Sequence, residues 1–189
     1  TAHAMGIQYA RAAGNRQALL DHSLTKRLQP GFAAQAAVES TQLAARGITG
    51  PRRWLEGEAG FFELYMNGDV PDATAFNARI PTHHVQQVAI KRYPSCGACH
   101  HVQLAAERVR ETHALDPTEI DAVSLFNCDP GNIVTEPVTL GENPSVSAQF
   151  SAEWAVAHTL LKGPATLEDY TDEAVARDRE TIELANRIG

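Results

Sequence analysis

The stretch Lys91-Arg92-Tyr93-Pro94-Ser95-Cys96-Gly97-Ala98-Cys99-His100-His101 marks the point at which the sequence changes its pattern. Before it, residues 85–93 alternate as a half-buried strand does. After it, residues 98–115 carry an apolar stripe with helical spacing. A second alternating segment, residues 120–128, follows this helix. These segments predict a β-α-β unit in which the quoted stretch is the turn between the first strand and the helix.

The sequence before this unit has the pattern of helices. Residues 2–13 predict one helix. A longer, alanine-rich helix is predicted to begin at Pro30, because a proline loses nothing by lacking an N–H in a first turn. Gly47 is its expected end. The first part of the chain is therefore predicted to be helical throughout.

The sequence after the unit combines both patterns. Residues 133–140 predict a further short strand, and residues 147–162 predict a helix that ends before Gly163-Pro164. The fold class predicted from the pattern is α+β and mostly α. It divides into a helical unit over residues 1–84 and a mixed unit over residues 85–189.

Composition narrows the possible partners and the compartment. The 189 residues carry a formal net charge of -7, and no basic stretch is present to neutralise phosphates, so nucleic acid is not an expected partner. No apolar run has the length of a membrane span, so we expect no membrane association. The three cysteines, Cys96, Cys99 and Cys128, are too few for a disulfide framework. Their number is odd, which favours a reducing, cytoplasmic location.

Three interpretations of the quoted stretch compete on the residues alone. Cys96-x-x-Cys99-His100 fits the attachment pattern of c-type haem, although neither methionine stands in a recognisable axial-ligand loop. The same residues, with His101 and Cys128, are a candidate zinc site, although a second well-spaced ligand pair is missing. The cysteines are also typical small buried residues beside a histidine that lines the start of a helix.

The fourth interpretation is catalytic. A turn that leads into a helix N-terminus attracts anions through its N–H groups and the helix dipole. Lys91 adds a full positive charge there, and His100 is a proton carrier in the first helical turn. This combination favours a small carboxylate as the ligand.

Several segments, in order along nearly the whole chain, resemble the signatures of one family. They are residues 23–37, 43–51, 55–57 and 60–62, then Lys91–Cys96 with His100, and then residues 149–151, 155–157 and 160–163. Together they resemble the MmgE/PrpD family. Agreement of several motifs in order and at fitting spacing is more specific than any one of them.

The resemblance implies a fold and an assembly. Members of this family have a multihelical domain and an α+β lid, with the active site between them, and the lid would begin near residue 84. They are usually homodimers and use no metal or organic cofactor. The family includes 2-methylcitrate dehydratase, cis-aconitate decarboxylase and iminodisuccinate epimerase, which act on small di- and tricarboxylates.

The resemblance also implies roles for particular residues. Lys26 and Lys91 correspond to the lysines thought to contact the substrate, and His100 corresponds to the histidine of the second signature. Cys96 occupies a position five residues after Lys91 at which family members differ. In a dehydratase, a base removes a proton next to a carboxylate and water is then lost. Two lysines beside the substrate would stabilise the enediolate, and His100 is the candidate acid or base.

Two departures and the chain length qualify this expectation. Gln29 stands where the first signature often has histidine, and Trp154 stands where the third often has tyrosine. Relatives are more than twice as long, so we expect an internal piece of such an enzyme with little or no turnover by itself. The expected activity is a 2-methylcitrate dehydratase-like lyase of propionate metabolism, with an epimerase or decarboxylase of the same family as the alternative.

Overall fold

The computed structural model describes most of the chain, in two compact units. The described residues are 1–72, 74, 88–113, 115–126 and 137–189. The first unit comprises Thr1–Gln17 and Thr25–Ala89, and the second comprises Ala18–Leu24 and Ile90–Gly189. The boundary predicted after residue 84 falls outside the described residues and stays a prediction.

Helices dominate the described residues, which confirms the mostly α part of the predicted class. In chain order the α-helices are α1 (Ala2–Tyr9), α2 (Gln17–Leu20), α3 (Thr25–Ala45), α4 (Phe61–Met66), α5 (His100–Thr112), α6 (Pro144–Gln149), α7 (Ala152–Lys162), α8 (Asp172–Arg177) and α9 (Arg179–Ala185). Short 3-10 turns cover Gly97–Cys99, Pro117–Glu119 and Glu168–Tyr170. Within this part of the chain, no helix combines the length and the apolar character needed to cross a bilayer.

In the first unit, α1 lies against α3 and against the loop that follows α3. The Ser40 hydroxyl of α3 donates to Gln8 Oε1 at 3.2 Å. On its other side, α1 reaches the loop through Gly6, where an added Cβ would lie 2.3 Å from the Pro51 carbonyl oxygen. The backbones therefore touch, and only glycine fits at position 6.

The start of α3 differs from the prediction, whereas its end agrees with it. The helix begins at Thr25 rather than at Pro30, so the proline lies inside it. Pro30 has no N–H and therefore donates no hydrogen bond to the preceding turn of the helix. The helix ends at Ala45, and Gly47 follows with a φ of 91°, a conformation that glycine adopts without strain.

The second unit is built around α7. Every residue from Ala152 to Leu160 is buried, and α5 and α9 pack against this helix. The predicted helix over residues 147–162 is in fact two helices, α6 and α7. They are separated at Phe150 because the Ser151 hydroxyl caps α7, accepting from the Trp154 backbone N–H at 3.1 Å. Gly163 ends α7, as predicted.

The β part of the predicted class is not confirmed. The described residues contain no strand, only an isolated parallel bridge between Val123 and Ile188. Within the alternating segment at 120–126, residues 123–125 pair with residues 187–189 through backbone hydrogen bonds. Residues 88–93 are irregular, and Ile90 is 95% exposed. Residues 85–87 and 127–136, parts of the predicted strands, lie outside the described residues.

We predict that Gly6→Ala destabilises the protein by about 1–3 kcal/mol, because the new methyl group overlaps the Pro51 backbone. Gly31→Ala is the matched control. Gly31 lies inside α3 with no atom within 4 Å of an added Cβ, so alanine there should stabilise the helix by about 0.5–1 kcal/mol. Urea unfolding followed by circular dichroism measures both. Equal midpoints for the two variants would contradict the close approach.

Candidate functional site

The turn over residues 91–99 is held in place by backbone hydrogen bonds. The Cys96 N–H donates to the Gln149 carbonyl at 2.7 Å, which ties the turn to the end of α6. The Cys99 N–H donates to the Cys96 carbonyl at 2.9 Å and closes the 3-10 turn that leads into α5. The predicted position of the stretch, directly before a helix, is therefore correct.

Lys91 lies folded over this turn. Its ammonium donates to the Ser95 carbonyl oxygen at 2.8 Å. The Ser95 hydroxyl in turn donates to Oε1 of Gln103, which is 0% exposed, at 3.2 Å. Among the described residues Lys91 forms no ion pair, so its charge is held by a neutral carbonyl and remains available to an anion.

The neighbouring cation, Arg92, is neutralised. Its Nη2 donates to both oxygens of Glu107 at 2.8 and 2.9 Å, and the Tyr93 hydroxyl donates to the same carboxylate. The Tyr93 bond, supported by Arg92, holds the pKa of Glu107 below its ordinary value. Burial, together with the bond to Glu107, raises the pKa of the Tyr93 hydroxyl, which therefore stays protonated at neutral pH.

His100, the first residue of α5, packs against Tyr93. The two rings meet edge to face with their centroids 5.3 Å apart. The Nε2 atom of His100 is shielded from solvent and has no hydrogen-bond partner among the described residues. The ring orientation is therefore set by the tyrosine, which Glu107 fixes in turn.

The two cysteines of the turn differ in exposure. Cys96 is half-buried, Cys99 is 0% exposed, and neither forms a disulfide. In the described part of the chain, no three His, Cys, Asp or Glu side chains converge as a metal site would require. Cys128, the fourth ligand in the zinc hypothesis, lies outside that part.

Trp154, the aromatic residue of the third signature, lies in the interior of the second unit. Its indole stacks on the His158 ring with centroids 5.0 Å apart, and the Tyr170 ring lies 4.7 Å away. Burial, reinforced by the nearby Cys99, raises the pKa of the Tyr170 hydroxyl. This hydroxyl and the indole Nε1 lack a well-formed hydrogen bond among the described residues.

Lys26 and Gln29 belong to the first unit. Lys26 is half-buried in the first turn of α3. The Gln29 side chain donates to the Asn15 carbonyl oxygen at 3.0 Å. At the position where the first signature often has histidine, this chain thus has an amide that fixes a neighbouring loop.

A cavity of about 540 Å³ adjoins the turn within the second unit. Its walls are formed by Lys91, Arg92, Tyr93, Pro94, Glu107 and residues 164–167. A larger groove of about 640 Å³ between α5 and residues 115–126 is mainly apolar, and its charged residues, Glu119 and Asp121, are acidic. Of these two, the smaller cavity has the lining that suits a carboxylate.

Sequence reasoning missed Gln103, Glu107 and Tyr170. Gln103 had a detectable signal, because it shares a helical face with the apolar Cys99 and Ala106. Glu107 looked like a surface charge, and its partners lie 14 and 15 residues away. Tyr170 lies in a polar tail segment with no periodicity to indicate burial.

Comparison with characterised proteins gives two similar relatives. Cis-aconitate decarboxylase of Mus musculus is 28% identical over 169 residues, which are 87% of this chain and 34% of the relative. Cis-aconitate decarboxylase of Homo sapiens is 28% identical over 171 residues, with the same coverage of both chains. The chain thus spans about a third of the length of the relatives that it matches.

Family models match both units of the sequence. The MmgE/PrpD N-terminal domain matches residues 1–74, and the MmgE/PrpD C-terminal domain matches residues 93–189. These matches confirm the family resemblance, and His100 lies within the second match, whereas Lys91 lies between the two. The chain belongs to the MmgE/PrpD family.

Proposed function

We propose that this chain contributes part of the active site of a lyase that acts on a small di- or tricarboxylate. The observation that carries the proposal is Lys91, a cation without an ion pair among the described residues, in the wall of a cavity of about 540 Å³. Lys26, in the first unit, is proposed as a second substrate contact. A homodimer without metal or organic cofactor, acting in the cytoplasm, belongs to the same proposal.

The first candidate reaction is dehydration of a 2-methylcitrate-like hydroxy acid. A base removes the proton on the carbon next to a carboxylate, and the electron pair moves into that carboxylate as an enediolate. Lys91, an exposed cation in the cavity wall, stabilises the added negative charge. The electron pair then forms the double bond as hydroxide leaves, protonated to water by an acid. His100 is the proposed acid or base for one of these steps, which requires the substrate to reach its Nε2, an atom shielded in this structure.

The second candidate reaction, decarboxylation, is favoured by the names of the two relatives. Here the carbon–carbon bond to one carboxylate breaks, carbon dioxide leaves, and the electron pair remains on carbon until a proton arrives. The charge again develops next to a retained carboxylate, so Lys91 serves both reactions. Cys96, half-buried in the same turn, is proposed to contact the substrate in either case.

We expect the natural gene product that contains residues 1–189 to convert one of two substrates. Loss of water from 2-methylcitrate, followed through the absorbance of the new double bond, would indicate dehydration. Carbon dioxide released from cis-aconitate would indicate decarboxylation. Turnover of neither substrate, in a protein shown to be folded by circular dichroism, would contradict the proposed lyase.

In the same gene product, Lys91→Ala should lower kcat by about 10²–10³-fold, since it removes a charge that stabilises the transition state. Arg177→Ala is the matched control, because Arg177 is an exposed cation of the same unit that pairs with Glu173. Its kcat should match that of the unmodified protein. Steady-state kinetics with the accepted substrate measure both, and a normal rate for Lys91→Ala would refute its role.

The Glu107 carboxylate should make stability depend on pH. Its pKa in the folded protein lies below the ordinary 4.5, so the folded state holds its proton less tightly than the unfolded chain does. The stabilisation is complete above the ordinary pKa and is lost as pH falls through the lowered one. We expect Glu107→Gln to be less stable than the unmodified protein near neutral pH, with a difference that shrinks on acidification. Urea unfolding at several pH values measures this, and a pH-independent difference would contradict it.

A further inference from the structure

The two cysteines of the turn are close enough to form a bond. The hydrogen bond from the Cys99 N–H to the Cys96 carbonyl, 2.9 Å long, closes a four-residue turn. Such turns bring their first and fourth Cα atoms within about 7 Å. A disulfide requires Cα atoms about 4.4–6.8 Å apart. A bond between the two sulfurs therefore needs side-chain rotation rather than refolding.

Access to the two sulfurs is unequal. Cys96 is half-buried and Cys99 is fully buried. Between them, Gly97 is exposed, and an added Cβ there would meet no atom within 4 Å, so the surface above the turn is open. An external reagent therefore reaches Cys96 first, whereas Cys99 is reached only from within the turn.

We propose that Cys96 and Cys99 form a reversible dithiol–disulfide site whose oxidant is a low-molecular-weight disulfide of the glutathione type. The Cys96 thiolate attacks one sulfur of the small disulfide, forms a mixed disulfide and releases one thiolate. The Cys99 thiol then loses its proton and attacks the Cys96 sulfur, which expels the second small thiolate. Two protein thiols are oxidised to one disulfide, and one small disulfide is reduced to two thiols.

A consequence for activity follows, and this part rests on the proposed function. Cys96 lies in the turn proposed to contact the substrate, next to the carbonyl that holds Lys91. A bond to Cys99 draws the Cys96 sulfur toward the core and constrains the turn. Because misplacement of a positioning group by about 1 Å can cost about 10²-fold in rate, the oxidised form is the less active one.

The test uses the complete chain, incubated with oxidised or reduced glutathione, quenched with acid and alkylated with a maleimide. Trypsin then releases the peptide Tyr93–Arg108, which contains both cysteines and no third one. We expect the oxidised sample to give this peptide two hydrogens lighter and without alkylation, and dithiothreitol to restore two alkylated thiols. A peptide with two alkylated thiols after oxidation, or with glutathione attached and no internal bond, would overturn the proposal.

Cysteine variants distinguish the first exchange, at Cys96, from the second, in which Cys99 attacks. Cys99→Ala should keep glutathione on Cys96 as a stable mixed disulfide, because the second attack is lost. Cys128→Ser is the matched control and should close the bond as the unmodified chain does. If Cys99→Ala fails to fold, the peptide from the unmodified chain still decides the outcome. Closure in the unmodified chain but not in Cys128→Ser would show that Cys128 takes part in the exchange, and would refute a direct attack of Cys99 on the Cys96 mixed disulfide.

The activity measurement is made on the natural gene product and is independent of the mass measurement. We expect closure to lower kcat/KM by about tenfold or more, reversibly with dithiothreitol. A closed bond in a protein without lyase activity would refute the proposed function and leave the disulfide site standing. An active enzyme whose peptide never closes would refute the disulfide site alone. If the disulfide forms and kcat/KM does not change, the proposed effect of the disulfide on activity is refuted.

Discussion

The second unit depends on the complete burial of α7. From Ala152 to Leu160 the helix is buried, with small residues at Ala152, Ala155 and Ala157. Its buried polar side chains Glu153, His158 and Thr159 all form hydrogen bonds. Small side chains let other helices approach closely. Cys99, Val102 and Ala106 of the turn and of α5 belong to the same core cluster. The position of α5, and hence of the turn that carries Lys91, is therefore set by hydrophobic packing.

Hydrogen bonds between α5 and the turn add to this hydrophobic packing. Gln103 and Glu107, one helical turn apart on α5, bind Ser95 and Tyr93 of the turn. Four shielded polar atoms, on His100, Gln103, Trp154 and Tyr170, lack hydrogen-bond partners among the described residues. An unsatisfied buried group costs about 1–3 kcal/mol. These atoms lie on α5, on α7 and at Tyr170, close to the residues of the second and third signatures.

The sequence predicted features with a local cause and missed features whose cause is distant. Gly47 and Gly163 end helices because their own backbone conformations favour glycine, and this can be predicted from single residues. The lone bridge of Val123 depends on Ile188, which lies far away in sequence, so alternation alone overestimated the β-structure. The residues of the candidate site also divide into those with a local signal in the sequence and those without one. Lys91, Cys96 and His100 were predicted from one short motif, whereas Glu107 acts through contacts that no local pattern contains.

The geometry of the turn also separates the competing interpretations of the Cys-x-x-Cys-His motif. Covalent haem attachment needs both sulfurs within reach of one large ring, but Cys99 is enclosed in the core beside α7. His100 packs edge-on against Tyr93, and its Nε2 is shielded from solvent, which leaves no open ligand position at that atom. Exchange with an external disulfide requires only that the outer sulfur, Cys96, meet the reagent. The burial that disfavours haem is therefore compatible with the dithiol, and both conclusions follow from the packing of one cysteine.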